Sequence, residues 1–239
     1  MAAKLSAEIA ERIVWTFSKR FHPGILVGLF CRRQCLKRLF ARLLNAQRVR
    51  LRPATCSLGE CTRLPASAST NSKRFWHRVA TELPKGEGTD YTIYPQPLAE
   101  PYRSRRFTVG ELLYQSIKVS REDKASRYRQ YSRNYQFFGA PVALFFAREK
   151  AHGSAQWADI GGYLQTLALL ARGYGLHTCP QQAWVSFHRT VRAFLRLPDN
   201  LMIYSGMALG YEDSAAPINS WRSPRDSLDA FASFQGFDN

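Results

Sequence analysis

The stretch Gln156 to Trp184, QWADIGGYLQTLALLARGYGLHTCPQQAW, decides how the chain is read. Its apolar residues recur at helical spacing and predict a helix over Ala155 to Arg172, capped by Ser154. A strand is predicted around Leu176 to Cys179, and a second helix over Val185 to Leu195. Working outward, Met202 to Leu209 reads as a strand closed by Gly210, and Val142 to Ala147 as another. Helices are predicted at Val109 to Ile117 and at Arg121 to Phe137, with Ser120 and Asp123 as a capping box for the latter. The pattern is that of an α+β domain.

The flanks read differently. Glu212 to Asn239 contains Pro217 and Pro224 and has no sustained period, so it is expected to be an arm lying on another surface, such as a second subunit. Leu83 to Pro101 is rich in proline and tyrosine and should run extended. Val49 to Lys73 has the composition of a loop or disordered segment. Leu5, Ile9, Ile13, Phe17 and Phe21 recur every fourth residue, predicting a helix that breaks at His22-Pro23-Gly24. Leu36, Leu39, Phe40, Leu43 and Leu44 repeat the pattern opposite Lys37, Arg38 and Arg42. Packed amphipathic helices account for both runs more simply than RNA-binding or membrane-binding ones, since any helix needs a buried stripe.

With 239 residues and 45% hydrophobic content, the chain can build one ordinary core with an appendage. Its formal charge of +16 would suggest a polyanionic partner, but the charge is uneven. Residues 1–85 hold 17 Lys and Arg against 4 Asp and Glu, while residues 86–239 hold 17 against 14. The expected division is therefore an atypical basic segment over 1–85 and a domain over 86–239, with no specific nucleic-acid partner. Cys31, Cys35, Cys56 and Cys61 also lie in the first segment, and only Cys179 lies in the second. The loose spacings of the four favour unligated thiols over a zinc site or a disulfide framework. The apolar run Gly24 to Cys31 is far shorter than the roughly 20 residues a membrane-spanning helix needs, so no span is expected. The Arg-rich start imitates a transit peptide, but Glu8 and Glu11 and the lack of a cleavage pattern favour a cytoplasmic location.

No GxSxG elbow, phosphate-binding Walker loop or GxGxxG after a strand is present, which leaves hydrolase, NTPase and Rossmann readings without a foothold. His177 and His188 flank Cys179 without a third ligand at suitable spacing, so they are read as structural histidines and no metal is expected. Gln156, Trp157 and Asp159 open a helix whose free donors could meet an anion, but a packed Trp157 and a dipole-favoured Asp159 explain them as well.

Four pieces carry a resemblance: YPQPLAEPYRSRR (Tyr94 to Arg106), FFGAPVALFF (Phe137 to Phe146), the opening stretch, and GMALGYEDSAAPINSWRSPRDSL (Gly206 to Leu228). In order and spacing they resemble the nitroreductase family. The resemblance implies a central, mainly antiparallel sheet flanked by helices, an extended C-terminal arm, and a homodimer with exchanged arms. It implies FMN at the dimer interface, NAD(P)H as co-substrate, and a nitroaromatic, quinone or similar small-molecule acceptor. Pro180, Gln181 and Gln182 match the turn that approaches the isoalloxazine ring, and Arg222 and Arg225 match positions that reach the phosphate. The cofactor carries the chemistry in this family, so no catalytic side chain is named.

The family's early motifs, a basic strand-like one and PSxxNxQPW, ought to fall within residues 10–75 and are absent in the frame as given. Reading each codon from the third base of one triplet and the first two of the next permits RAPSASNLQPWRMH from Arg48 to Thr62, and LPTPVPE through Phe30 to Lys37. Both strings resemble what the family carries there. The expectation is that residues from about 20 to 75 or 80 are translated out of frame, which would also explain the local excess of Arg and Cys. The alternative reading of function is a degraded, catalytically silent family member whose basic N-terminus is disordered or binds polyanions.

Overall fold

The structure is a computed structural model and describes residues 86–236 together with the backbone of two earlier strands, β1 (Ile25–Cys31) and β2 (Cys61–Arg63). The helices expected around Leu5 to Phe21 and Leu36 to Leu44, and all of the loop expected at Val49 to Lys73 except β2, lie outside the described residues. The remaining elements in chain order are α1 (Tyr102–Ser116), α2 (Lys124–Ser132), a 3₁₀ segment (Arg133–Gly139), β3 (Val142–Glu149), α3 (Ser154–Gly173), β4 (His177–Gln181), a 3₁₀ turn (Gln182–Phe187), α4 (His188–Leu195), β5 (Leu201–Gly210) and two short 3₁₀ turns (Pro217–Asn219 and Leu228–Ala230).

The strands form one sheet in the order β2-β1-β3-β5-β4. Only the β1–β2 pairing is parallel; β1–β3, β3–β5 and β4–β5 are antiparallel. Strand β3 explains the centre of this arrangement, because VALFFA is apolar at every position and so suits a strand covered on both faces. Alternate residues divide between two cores. Val142, Leu144 and Phe146 join Ile160, Tyr163, Leu167 and Ala171 of α3, with Met207 and Leu209 of β5. Ala143, Phe145 and Ala147 face the other way, toward Tyr135, Phe137, Trp184, Phe187, Val191 and Leu195.

The positions of β3, β4 and β5 follow the sequence reading closely, β1 and β2 have no counterpart in it, and helix boundaries depart from it for local reasons. Helix α1 begins at Tyr102, seven residues before the expected Val109, and none of its residues is buried. Without a buried stripe, its start left no periodic signal. The helix expected over Arg121 to Phe137 is α2 followed by the 3₁₀ segment, where Phe137 and Phe138 take left-handed φ values of 49° and 51°. Its cap is Asp123, whose carboxylate accepts the Ser126 N–H at 2.9 Å, while the Asp123 N–H donates to Ser120 Oγ. Helix α3 takes Gly153 as its N-cap residue in place of Ser154, and Gln156 Oε1 accepts the Gly153 N–H at 3.0 Å. The region expected to be helical from Val185 is 3₁₀ up to Phe187 and α-helical from His188.

Trp184 anchors the second core. Its indole is fully buried, stacks on Phe137 at 4.8 Å and meets Phe145 edge-on at 5.0 Å. It lies so close to β5 that a Cβ on Gly206 would stand 2.3 Å from Trp184 Cδ1. Gly206→Ala should therefore destabilise the fold by about 1–3 kcal/mol through overpacking, read as a lower urea midpoint with an unchanged m-value.

Helix α1 is attached by charge. Glu111 accepts both Arg127 guanidinium nitrogens at 2.8 and 2.9 Å, and the Arg127 guanidinium stands over the Tyr114 ring at 4.2 Å. The hydrogen bonds from Arg127 hold the Glu111 carboxyl below its ordinary range. A carboxyl lowered on folding contributes stability above its unfolded value of about 4.3 and loses it as pH falls through the folded value. The protection of α1 amides against exchange, taken relative to unstructured-peptide rates, should therefore fall on acidification below about pH 4, and Glu111→Gln should remove that acid-dependent step.

Candidate functional site

Strand β4 ends the sheet, which is where a proline can sit in a strand without removing a needed N–H. Pro180 and Gln181 pair with Met207 and Gly206 of β5. The chain then turns into the 3₁₀ segment that opens at Gln182, and the first N–H groups of such a turn have no partner within it. Pro180 is exposed and Gln181 is buried, its Nε2 donating to the Asn134 carbonyl at 2.8 Å.

Gln182 is half-buried, and its Nε2 donates to the Tyr204 carbonyl at 2.9 Å and to the Tyr91 hydroxyl. The Tyr91 hydroxyl in turn donates to the same carbonyl at 2.6 Å. Around this junction the Tyr91 ring meets Trp157 edge-on at 4.8 Å and lies parallel to the Tyr204 ring at 6.2 Å. The guanidinium of buried Arg148 sits 4.0 Å over Trp157 and donates to the His152 carbonyl at 2.6 Å. Burial lowers the Arg148 pKa and raises that of Tyr91, so the phenol keeps its proton at neutral pH. Trp157 is thus packed within an aromatic cluster.

Tyr91 reaches this position because residues 86–91 are strapped onto the start of α4. Gly86 takes φ +73°, and a Cβ there would stand 2.9 Å from the Ser186 carbonyl. Glu87 donates its N–H to that carbonyl at 2.7 Å, and its carboxylate accepts the Thr190 N–H at 3.0 Å and the Thr190 hydroxyl. Arg189 donates to the Glu87 carbonyl at 2.7 Å, and Asp90 lies 3.4 Å from His188. His177 lies at the other end of β4, its Nδ1 accepting the Glu212 N–H at 3.3 Å. Both histidines thus tie the sheet and α4 to neighbouring segments. The sequence reading expects an extended run over 83–101; the described part, 86–101, is an irregular segment with bends, and the reading singles out neither Tyr91 nor Asp90. Their partners are 113 and 98 residues away in sequence, and no local pattern announces such a pairing.

Arg222 and Arg225 lie on the arm that follows β5, and both are exposed. Arg222 donates to the Asn219 and Trp221 carbonyls, each at 2.9 Å. Arg225 donates to Ser223 Oγ at 2.5 Å and to the Pro224 carbonyl at 3.0 Å. Neither meets a carboxylate among the described residues, so both keep uncompensated charge. The structure brings Gln181 and Gln182 together at the end of the sheet. It places the arginines on a separate segment, with no hydrogen bond between the two groups among the described residues.

Residues 96–211 match the family model described as the nitroreductase family. The chain is 43% identical over 144 residues to a 4-nitrobenzoate reductase of Pseudomonas putida, covering 60% of this chain and 63% of that one. It is 36% identical over 151 residues to a chloronitrobenzene nitroreductase of Comamonas testosteroni, covering 63% of this chain and 66% of that one. The match thus spans less than two thirds of the length of these curated relatives. Among solved structures, the FMN and NADPH-dependent nitroreductase NfnB from sphigopyxis sp. strain HMH superposes with a TM-score of 0.76 at 37% identity, covering 87% of this chain and 93% of that one. NfnB from Mycobacterium smegmatis, solved in complex with NADPH, gives 0.63 at 26% identity over 72% and 75% of the two chains. With an antiparallel core and a Pro-Gln-Gln turn at the sheet's edge, and with likeness along nearly the full length of a solved relative, the chain belongs to the nitroreductase family.

Proposed function

We propose that this chain is an FMN-dependent oxidoreductase that takes electrons from NAD(P)H and delivers them to a nitroaromatic or quinone-like acceptor. The observation that carries this reading is the likeness, at 37% identity, to a relative described as FMN and NADPH-dependent. Relatives described as reducing nitrobenzoate and chloronitrobenzene supply the acceptor class.

The residues present fit the cofactor. Arg222 and Arg225 are exposed guanidiniums without a carboxylate partner among the described residues, and a guanidinium fork can bind two of a terminal phosphate's three free oxygens at once. The Pro180 to Gln182 turn supplies peptide N–H groups at the start of a helical turn, the kind of donor that stabilises negative charge on a reduced ring. When bound, FMN supplies the redox chemistry by accepting hydride from NAD(P)H and passing electrons to the acceptor. The chain's part is to bind, to orient and to keep the turn rigid. The arm and α1, both exposed on this chain, suit a homodimer in which each arm lies on the partner. Among the described residues no helix is long and apolar enough to cross a membrane, and we place the enzyme in the cytoplasm.

The early family motifs missing in frame from residues 10–75 favour one second reading, a silent member whose basic first segment binds polyanions. The codons of residues 15–85 decide whether that stretch is out of frame. Polyanion binding would weaken steeply with salt, whereas flavin binding would be accompanied by a visible spectrum. The purified protein should be yellow or become so with added FMN, and should oxidise NAD(P)H when an acceptor is present. Arg222→Ala and Arg225→Ala should each weaken FMN binding about 10- to 100-fold, measured by quenching of flavin fluorescence. A colourless protein that takes up no FMN refutes the activity.

A further inference from the structure

The Gln182 side chain is held with its nitrogen inward, and the chemistry of its neighbours leaves no other orientation. A carboxamide can ordinarily be turned over without changing its shape. Here one neighbour, 2.9 Å away, is the main-chain carbonyl of Tyr204, which can only accept. The other is the Tyr91 hydroxyl, whose single hydrogen is already given to that carbonyl at 2.6 Å, so it offers Gln182 a lone pair. Both contacts demand a donor, and Nε2 has two hydrogens to give. The side-chain oxygen is then turned away from Tyr91 and Tyr204. Gln182 Oε1 is not among the buried oxygens that lack a partner, whereas Oε1 of neighbouring Gln181 is.

We propose that Tyr91 is a positioning residue for the cofactor site, its phenol fixing the Gln182 carboxamide so that residue 182 turns a hydrogen-bond acceptor toward the flavin. The proposal rests on the reading that FMN lies against the Pro180 to Gln182 turn. Two features keep the device in place. Residues 86–91 are clamped by Glu87 to Thr190 and by Asp90 to His188, so the phenol is delivered from a fixed segment. The Tyr91 ring packs against both Trp157 and Tyr204, so it holds its place by packing as well as by its hydroxyl. Tyr91→Phe leaves that packing and removes the lone pair. One amide hydrogen of Gln182 then has no partner, and the carboxamide is held by the Tyr204 carbonyl alone, about which its plane can swing. The acceptor that residue 182 turns toward the flavin is then held less firmly.

A double-mutant cycle on the full chain tests this, using FMN itself as the probe and reading both its dissociation constant and its visible absorption bands. Tyr91→Phe and Gln182→Met should each weaken FMN binding about three- to tenfold, the scale of one neutral hydrogen bond, and should shift the flavin bands. The double variant should be no worse than the weaker-binding single, because Tyr91 acts only through Gln182. Additive effects, or a Tyr91→Phe variant with unaltered binding and spectrum, would overturn the proposal while leaving the flavin site intact. If the unaltered protein binds no FMN, the functional reading falls and takes this proposal with it. Thermal unfolding without FMN distinguishes a folding defect, since a purely structural role would lower the midpoint without shifting the spectrum of flavin that still binds.

Discussion

The candidate site depends on one close contact, the Trp184 indole lying directly on the backbone of Gly206. Gly206 faces Gln181 across the β4–β5 ladder, so the residue that Trp184 covers is also the one that pairs with the last residue of β4. Trp184 itself belongs to the turn that begins at Gln182. Strand, turn and indole thus fix one another within a few residues, and the aromatic packing of Phe137, Phe145 and Tyr135 around Trp184 keeps the group rigid. Close-packed interiors transmit such constraints because there is no void into which a side chain can relax.

Much of the fold was legible in the sequence where burial leaves a pattern. The run Val142 to Ala147 reads as a strand because both faces are covered, and Met202 to Leu209 for the same reason. Strand β1 was not legible as a strand: its apolar run was weighed only as a membrane segment, and its pairing with β3 is a long-range fact. The start of α1 was hidden because no residue in it is buried. The left-handed residues Phe137 and Phe138 were hidden because bulky residues rarely adopt that conformation, and of the two only Phe137 is buried in the core.

The candidate site divides in the same way. The Pro-Gln-Gln turn and the two arginines came from likeness to a family, which marks positions without showing what holds them. What holds Gln182 is Tyr91, and what holds Tyr91 is a strap whose contacts with α4 join residues about a hundred positions apart. A spacing rule sees a turn of helix or a pair of neighbouring strands. It does not see a tyrosine brought to a glutamine by a glutamate that caps another segment.

Helix α1 and the C-terminal arm share a property with a physical consequence. Tyr102 and Phe107 on the helix, and Leu228 and Phe231 on the arm, are more than half or about half open to water. Arg105 on α1 is bonded to Asp226 on the arm at 2.7 Å. That bond sets this part of the helix beside the arm. A surface that settled on the arm at Asp226 would therefore meet the guanidinium of Arg105 on the helix as well.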